Sequence, residues 1–378
     1  MTRPALRLLP GAAVVVLAAV VSPAAIATTQ AGQSATASAR VGRVAFVDGR
    51  HVATAVVKVT GNTTHETTIG PITHAPAKRR IAIQAFVGSD DGHWVAWLET
   101  ITKRDGSSTA ARPTLVVRTF APDQVYEVKT TALPLGFASD KLVVYNHGHA
   151  SYVDLKTSAT FHKIPGTVFP QAAYPGGVVN LKALTSPPGP KNTEQLRLTA
   201  FDGSAQIVHN YVLKPSNAHL PERSFVSPDG KVLAVERGDH TDFGGIGSTS
   251  IIDEFSLHGP RDRRTIGHYG SAKKQWRVGA MSFAWKNNEP WVVWERATRT
   301  GAASVLAVYQ HDRWKRIIKH GIAVLGARNG FVIAQAGKYV FNRDGLGFVR
   351  KPTGDAMLLH DHVVKVMGIQ GSAFAWVD

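Results

Sequence analysis

The chain has 378 residues, of which 44% are hydrophobic, and a net charge of +16. These values are typical of a globular protein with one large domain or two ordinary ones, so disorder is excluded as a description of the whole chain. The sequence contains no cysteine. Disulfides, thiolate zinc sites, iron–sulfur clusters and cysteine nucleophiles are therefore excluded as well.

The first 27 residues have the pattern of a secretory signal peptide. Arg3 and Arg7 precede an apolar run from Gly11 to Val21, and Ala25 and Ala27 provide the small residues of a cleavage site. We predict cleavage after Ala27. A retained transmembrane anchor is the alternative, but the apolar run is shorter than the roughly 20 residues that a membrane span needs. No transmembrane anchor is therefore expected in the processed chain.

Residues 28–40 are rich in Ala, Ser, Thr, Gln and Gly, which predicts a flexible leader. An exported chain without cysteine and with many Ala, Val and Arg residues indicates the exterior of a bacterial cell. We expect the protein to be secreted, extracellular or associated with the cell envelope.

Residues 41–378 are predicted to form a single all-β domain. Short runs of Val, Ile, Thr and aromatic residues alternate with turn signals such as Asp-Gly and Asn-Gly. No segment of ten or more residues outside the signal peptide has the apolar spacing of an amphipathic helix.

A repeated layout of strand, tight turn and more hydrophobic strand occurs seven times in this region. The turns are spaced at about the 40–50 residues of a four-stranded blade, so we predict a seven-bladed β-propeller, with six or eight blades as alternatives. The seven segments are 85–97, 136–145, 172–179, 224–235, 282–294, 324–334 and 367–376.

The last repeat reaches the C-terminus after two predicted strands, which leaves one blade incomplete. The segment from Arg43 to Val57 contains two strands without a repeat of its own. We predict that these two strands join the last two in one blade, because closure of the ring removes the exposed sheet edges of an open row. A third organisation, two β domains divided at the proline-rich segment 186–191, is left open by the sequence.

Two repeats carry a recognisable motif. The segment Phe225–Val235, with Ser-Pro-Asp-Gly-Lys between two strands, resembles the repeat of TolB-like, WD-like β-propellers, and Phe86–Trp97 is a looser copy. The other five repeats keep the layout without these letters, and the Trp-Asp dipeptide of WD repeats is absent. The resemblance implies a propeller fold. In this turn we expect Asp229 to close an Asx turn and Gly230 to take a positive φ.

The sequence has 16 histidines, and in three short segments His occurs close to a second His or to Asp, a combination that can bind a divalent ion. These groups lie at 147–149, 239–242 and 360–362, and each could equally be exposed loop histidine. The second group begins a long Gly-rich segment after a strand, a common place for binding sites. We therefore take Asp239, His240 and Asp242 as candidate ligand-binding or metal-binding residues. No other cofactor is predicted.

Carboxylates and tryptophans supply the remaining candidates. Glu99, Glu236 and Glu295 end equivalent strands, where they could serve acid–base chemistry or be solvated charges of the outer rim. Trp276 and Trp314 lie in basic segments, where they could stack on a ligand such as a sugar or be strand-edge residues covered by Lys and Arg stems. No catalytic residue can be assigned from these patterns.

The basic residues are clustered, which would attract anionic polymers at the cell surface. Their clusters are Lys78–Arg80, Arg261–Arg264, Lys273–Lys274, Arg313–Lys319 and Arg350–Lys351. We expect a secreted, non-enzymatic binding or scaffold module. Its partner would be an unidentified protein or an anionic polymer of the envelope, and not a specific nucleic acid.

The alternative is an extracellular propeller hydrolase or lyase that acts on a carbohydrate-type polymer and could use a divalent metal. The two functions differ in what they require of the central channel. Catalysis or metal binding calls for at least three ionisable side chains from different blades that converge there.

Overall fold

Strands account for all the regular secondary structure that the computed structural model describes. The described residues are 39–378 except 104–108, 157–159, 184–192, 213–218, 240–248, 259–261, 272–275, 299–300, 342–347 and 361–362. Residues Arg40–Asp378 form one compact unit. In this part of the chain no helix is long and apolar enough to cross a membrane.

The strands form a seven-bladed propeller, in which the first strand named for each blade is the innermost and the last is the outermost. Blade 1 is β29 (Phe374–Val377), β1 (Arg40–Asp48), β2 (His51–Lys58) and β3 (Thr63–Gly70). Blade 2 is β4 (Arg79–Gly88), β5 (Trp94–Lys103), β6 (Thr114–Phe120) and β7 (Asp123–Lys129). Blade 3 is β8 (Leu133–Ala138), β9 (Lys141–Asn146), β10 (His149–Asp154) and β11 (Phe161–Lys163).

Blade 4 is β12 (Pro170–Tyr174), β13 (Gly177–Ala183), β14 (Thr193–Ala200) and β15 (Ala205–Val212). Blade 5 is β16 (His219–Val226), β17 (Val232–Asp239), β18 (Ile251–Ser256) and β19 (Arg263–Gly267). Blade 6 is β20 (Arg277–Lys286), β21 (Glu289–Thr298), β22 (Gly301–Gln310) and β23 (Arg313–Lys319). Blade 7 is β24 (Gly321–Arg328), β25 (Phe331–Phe341), β27 (Met357–His360) and β28 (Val363–Val366), and β26 (Phe348–Pro352) pairs with the end of β25.

The hydrophobic core is divided among the contacts between blades. Alternate residues of a strand point to opposite faces, so each blade offers one apolar face to either neighbour. The described residues form seven buried clusters, one between each pair of adjacent blades around the ring. Each blade therefore depends on both neighbours for its burial.

The structure confirms the inner hairpins of six predicted repeats and corrects the seventh. Segment 367–376 contains only one strand, β29, because residues 367–373 form the connection into it, with Gly368 at φ 73°. Strand β29 pairs with β1 from Arg43↔Val377 to Phe46↔Phe374. Closure by the two ends of the chain is confirmed, but the blade takes three strands from the N-terminal side and one from the C-terminal side.

The proline-rich segment 186–191 lies outside the described residues. The strands on either side of it, β13 and β14, pair from Gly177↔Ala200 to Ala183↔Glu194. The segment therefore joins two strands of the same blade.

Neighbouring blades approach each other closely near the axis of the ring, where glycine faces alanine. A Cβ added to Gly88 of β4 would lie 2.4 Å from the Cβ of Ala375 in β29. At Gly136 of β8, a Cβ would lie 3.3 Å from the Cβ of Ala173 in β12. Small residues thus permit the closing strand to pack against blade 2.

We expect Gly88→Ala to destabilise the fold by about 1–3 kcal/mol, because two Cβ atoms cannot share this space without a shift of the backbone. Combining it with Ala375→Gly should recover much of the loss, since that change removes the clashing atom. Urea unfolding of wild type, both single variants and the double variant gives the coupling energy. Additive effects of the two substitutions would show that the two strands do not pack in this way.

Candidate functional site

The Ser-Pro-Asp-Gly-Lys turn of blade 5 is held by its own side chains. Asp229 accepts hydrogen bonds from the Ser227 hydroxyl (2.6 Å) and from the backbone N–H of Lys231 (3.0 Å). Gly230 has φ 68°, and its N–H donates to the Ser227 carbonyl over 2.8 Å. The predicted Asx turn and positive φ are confirmed.

The corresponding turn of blade 2 is held by the same kinds of hydrogen bond, although its sequence differs. The Ser89 hydroxyl donates to Asp91 (2.5 Å), the backbone N–H of Trp94 donates to Ser89 Oγ (2.9 Å), and Gly92 has φ 79°. Asp90 stands where blade 5 has Pro228. Because Ser89, Asp91 and Gly92 hold the turn, the carboxylate of Asp90 has no role in it.

The inner hairpins turn at one end of the ring, and there they surround the mouth of the central channel. Two adjoining cavities, of about 370 and 250 Å³, fill this mouth and together touch the innermost strands of all seven blades. Both are lined by Gly88, Asp90, Val226, Phe283 and Trp285. The volume of the larger cavity falls within the range of small-molecule sites, roughly 300–1,000 Å³.

Aromatic residues line one side of the channel mouth, the aromatic wall, and their rings also pack in the cluster between blades 5 and 6. Phe225 of β16 and Phe283 of β20 stack with ring centroids 4.4 Å apart and planes 8° from parallel. The ring of Trp285 lies 5.0 Å from that of Phe283. This wall is a rigid surface on which an apolar or cationic group can pack.

Asp90 and Tyr174 are the ionisable residues in the described lining of the two cavities. Asp90 is open to the water of the channel, but protein surrounds it on most sides. This desolvation raises the pKa of its carboxyl from 3.8 to about 6, and the neighbouring Asp91 adds to the rise. Burial, followed by the charge of Asp202, raises the pKa of Tyr174.

The described lining thus brings together two ionisable side chains, from blades 2 and 4, among apolar and small residues. In the part of the chain that the structure describes, no group of three or more His, Asp or Glu side chains could hold a metal ion. These residues therefore do not provide the three converging ionisable side chains from different blades that catalysis or metal binding would need.

The predicted histidine groups are only partly described. Asp239 ends β17, and its side chain, His240 and Asp242 lie outside the described residues, so that candidate site stays a prediction. His147 lies in an exposed turn at φ 48°, and His149 Nδ1 donates to the carbonyl of Thr167 over 2.8 Å. Asp361 and His362 are outside the described residues, whereas the ring of His360 packs 4.6 Å from that of Phe331.

The two tryptophans of the basic segments pack between blades 5 and 6. Trp276 is 8% exposed, and its ring meets that of Tyr269 edge-on, with centroids 5.3 Å apart. Trp314 donates from Nε1 to the carbonyl of Ile266 over 3.1 Å and meets the ring of Trp294 edge-on at 5.0 Å. These contacts favour the packing alternative over stacking on a ligand.

Of the two alternatives for Glu99 and Glu236, solvated charges of the outer rim are contradicted, since both residues are 1% exposed. Glu99 accepts hydrogen bonds from the backbone N–H groups of Ile72 (2.8 Å) and Thr73 (2.7 Å) and from Trp97 Nε1 (2.8 Å).

Glu236 accepts from Arg223 Nε (2.6 Å) and from the Ser250 hydroxyl (2.5 Å). Glu99 therefore fixes the connection from blade 1 to blade 2, and Glu236 fixes residues at the junction of blades 5 and 6. Glu295 of β21 is only half-buried.

A cationic edge lies on the outer side of the ring. We give this name to the exposed side chains of β23 in blade 6, Arg313, Lys315, Arg316 and Lys319. None of these four forms an ion pair with another residue that the structure describes. Arg264 of β19 lies beside this edge on blade 5, where it pairs with Asp312 (3.2 Å) and lies 5.1 Å over the ring of Tyr309.

Comparison with known proteins gives distant structural likenesses and no family. No family model matches the chain, and no curated protein matches it by sequence. Among solved structures, an oligogalacturonate lyase in complex with manganese has 11% identity and a TM-score of 0.47, over 82% of this chain and 83% of that one.

A protein from Lactobacillus plantarum has 10% identity and a TM-score of 0.47, over 89% and 99% of the two chains. The β-propeller domain of Cps50 (Swd1) from Myceliophteria thermophila has 9% identity and a TM-score of 0.43, over 81% and 94%. Likenesses at this level carry no argument about chemistry, and membership of the TolB-like family stays a prediction.

The raised pKa of Asp90 gives a stability test with a definite sign. Between about pH 4 and pH 6 the folded state binds a proton more tightly than the unfolded state, so ionisation of Asp90 lowers stability as the pH rises through this window. We expect Asp90→Asn to raise Tm relative to wild type at about pH 7.5 and to change it little at about pH 4.

Asp202→Asn is the control for thermal unfolding at the two pH values, because its expected change in Tm has the opposite sign. Hydrogen bonds from Ser204 lower the pKa of Asp202, so this variant should lose stability above about pH 4. A Tm difference for Asp90→Asn that does not grow with pH would contradict the environment described for Asp90.

Proposed function

We propose that the protein is an exported, non-enzymatic β-propeller that attaches to an anionic polymer of the bacterial cell envelope. The observation that carries this proposal is the cationic edge, four exposed Lys and Arg side chains within the seven residues of β23. Export rests on the predicted signal peptide of residues 1–27.

The cationic edge holds more charge of one sign than protection of a sheet edge requires. Outermost strands often carry charges that prevent edge-to-edge aggregation. The outermost strand of blade 2 does so with mixed signs, Asp123, Glu127 and Lys129, and the outermost strand of blade 7 has Lys365 alone. A strand with four positive charges and no acidic residue fits a polymer with repeating negative groups.

The packing of β23 holds these charges in a fixed arrangement. Trp314 anchors the strand to blade 5 through the carbonyl of Ile266, and Ile317 and Ile318 pack into the cluster between blades 6 and 7. Because the backbone of this strand is already ordered, binding would cost only the conformational entropy of the exposed side chains.

The described lining of the channel differs from that of a glycoside hydrolase. Its described lining offers two ionisable groups among apolar residues, which gives no pair of carboxylates for glycoside chemistry.

We expect the mature protein to bind immobilised inorganic polyphosphate, and binding should weaken as salt screens the charges. Reversal of the edge by Arg313→Glu, Lys315→Glu, Arg316→Glu and Lys319→Glu should weaken binding by about tenfold or more, because attraction to the polymer becomes repulsion. Surface plasmon resonance over a series of salt concentrations measures both effects.

A variant with the same change in net charge provides the control. It carries Lys78→Glu, Arg79→Glu, Arg80→Glu and Lys103→Glu, four exposed residues of blade 2 or next to it. This variant should keep most of the affinity. Equal losses in the two variants would show that the cationic edge is not the specific site of binding, and unchanged affinity in the edge variant would refute the proposal outright.

A further inference from the structure

We infer that the mouth of the channel binds a small organic cation, a protonated amine or a quaternary ammonium attached to an apolar group. This inference concerns a different site from the cationic edge and does not depend on polymer binding. It rests on Asp90, on the aromatic wall and on the distribution of charge around the cavities.

Asp90 is a carboxylate that the fold does not use. In the equivalent turn of blade 5 the same position is Pro228, which has no polar side-chain atom, and the turn forms equally well. Among the residues that the structure describes, none donates a hydrogen bond to the Asp90 carboxylate and none forms an ion pair with it. Its charge is therefore available to a ligand.

Both cavities place this carboxylate beside apolar and aromatic groups. Phe283 and Trp285 line both, and Phe137, Tyr174 and Phe225 line the larger one. Organic cations are recognised by the faces of aromatic rings, and a nearby carboxylate adds direct charge attraction. An apolar group on the ligand would bury surface against Val226 and the aromatic wall.

The lining also excludes positive charge. Among the residues that the structure describes, no Lys, Arg or His lines either cavity, although the chain has 43 Lys and Arg residues. The charged groups of the described residues nearest the Asp90 turn are Asp91, in the same turn, and Arg328, which pairs with Asp378 and lies near Gly92. Other titratable groups around the mouth include His93 in the Asp90 turn, Tyr174 with Asp202 near it, and Asp229 of the blade 5 turn, which pairs with Lys231. The mouth is thus a negative site on a strongly positive protein.

Phenethylamine and its neutral analogue phenethyl alcohol test this inference directly. The wild-type protein should bind the amine about tenfold more tightly, because the two probes differ only in the charged group. Asp90→Asn should abolish this preference, and Asp90→Glu should retain part of it. Isothermal titration calorimetry gives both affinities, and circular dichroism confirms that each variant is folded.

Asp202→Asn, which removes a carboxylate from a turn outside the lining, should leave the preference for the amine unchanged. A quaternary probe, benzyltrimethylammonium, keeps its charge at all pH values, so its affinity should fall as the pH drops through about 6 and Asp90 is protonated.

The inference is overturned if neither probe binds at about millimolar concentration, if amine and alcohol bind equally to wild type, or if Asp90→Asn keeps the preference. Polyphosphate binding, measured on the same variants, should not change, so failure at the channel is distinguishable from failure at the cationic edge.

Discussion

The structure depends on the pairing of β29 with β1, which brings the two ends of the chain into one blade. Every blade buries apolar side chains on both faces, so a row of blades with open ends would leave two such faces in water. The strand Phe374–Val377 prevents this by adding the innermost strand of blade 1, where Val377 is fully buried and Trp376 is 8% exposed. The clusters on either side of blade 1 both contain residues of this strand.

Ring closure also determines where chemistry can occur. Seven strands that converge on one axis leave little room near it, which is why Gly88 faces Ala375 and Gly136 faces Ala173. Where the strands diverge into the inner turns, space opens for a cavity of about 370 Å³. A side chain that is not needed for its turn, such as Asp90, can face this cavity, and it lowers the stability of the fold only when it is ionised. The outer strands are free of these constraints, and one of them, β23, carries the exposed positive charge.

The sequence was sufficient to predict the fold class and six inner hairpins, because strand alternation and turn residues are local signals, whereas for the blade number it favoured seven and left six or eight open. The division of strands in the closing blade was not predictable, since β3 is a Thr-rich, largely exposed strand without apolar alternation. Glu99 and Glu236 were misjudged because their burial depends on backbone and side-chain donors that lie elsewhere in the chain. Asp90 was not identified as a site residue because the equivalent residue of the blade 5 motif, Pro228, has no polar side-chain atom. The available signal was that blade 2 has an aspartate where blade 5 has this proline.

Urea unfolding of a chain that ends at Ala373, followed by tryptophan fluorescence and compared with the full chain, is the sharpest test of ring closure. Loss of Phe374–Asp378 uncovers apolar surface on blades 1, 2 and 7, so we expect a loss of about 4 kcal/mol or more in the free energy of unfolding, with a broadened transition. An unfolding midpoint and slope equal to those of the full chain would contradict this dependence, because the ring would then be stable without its closing strand.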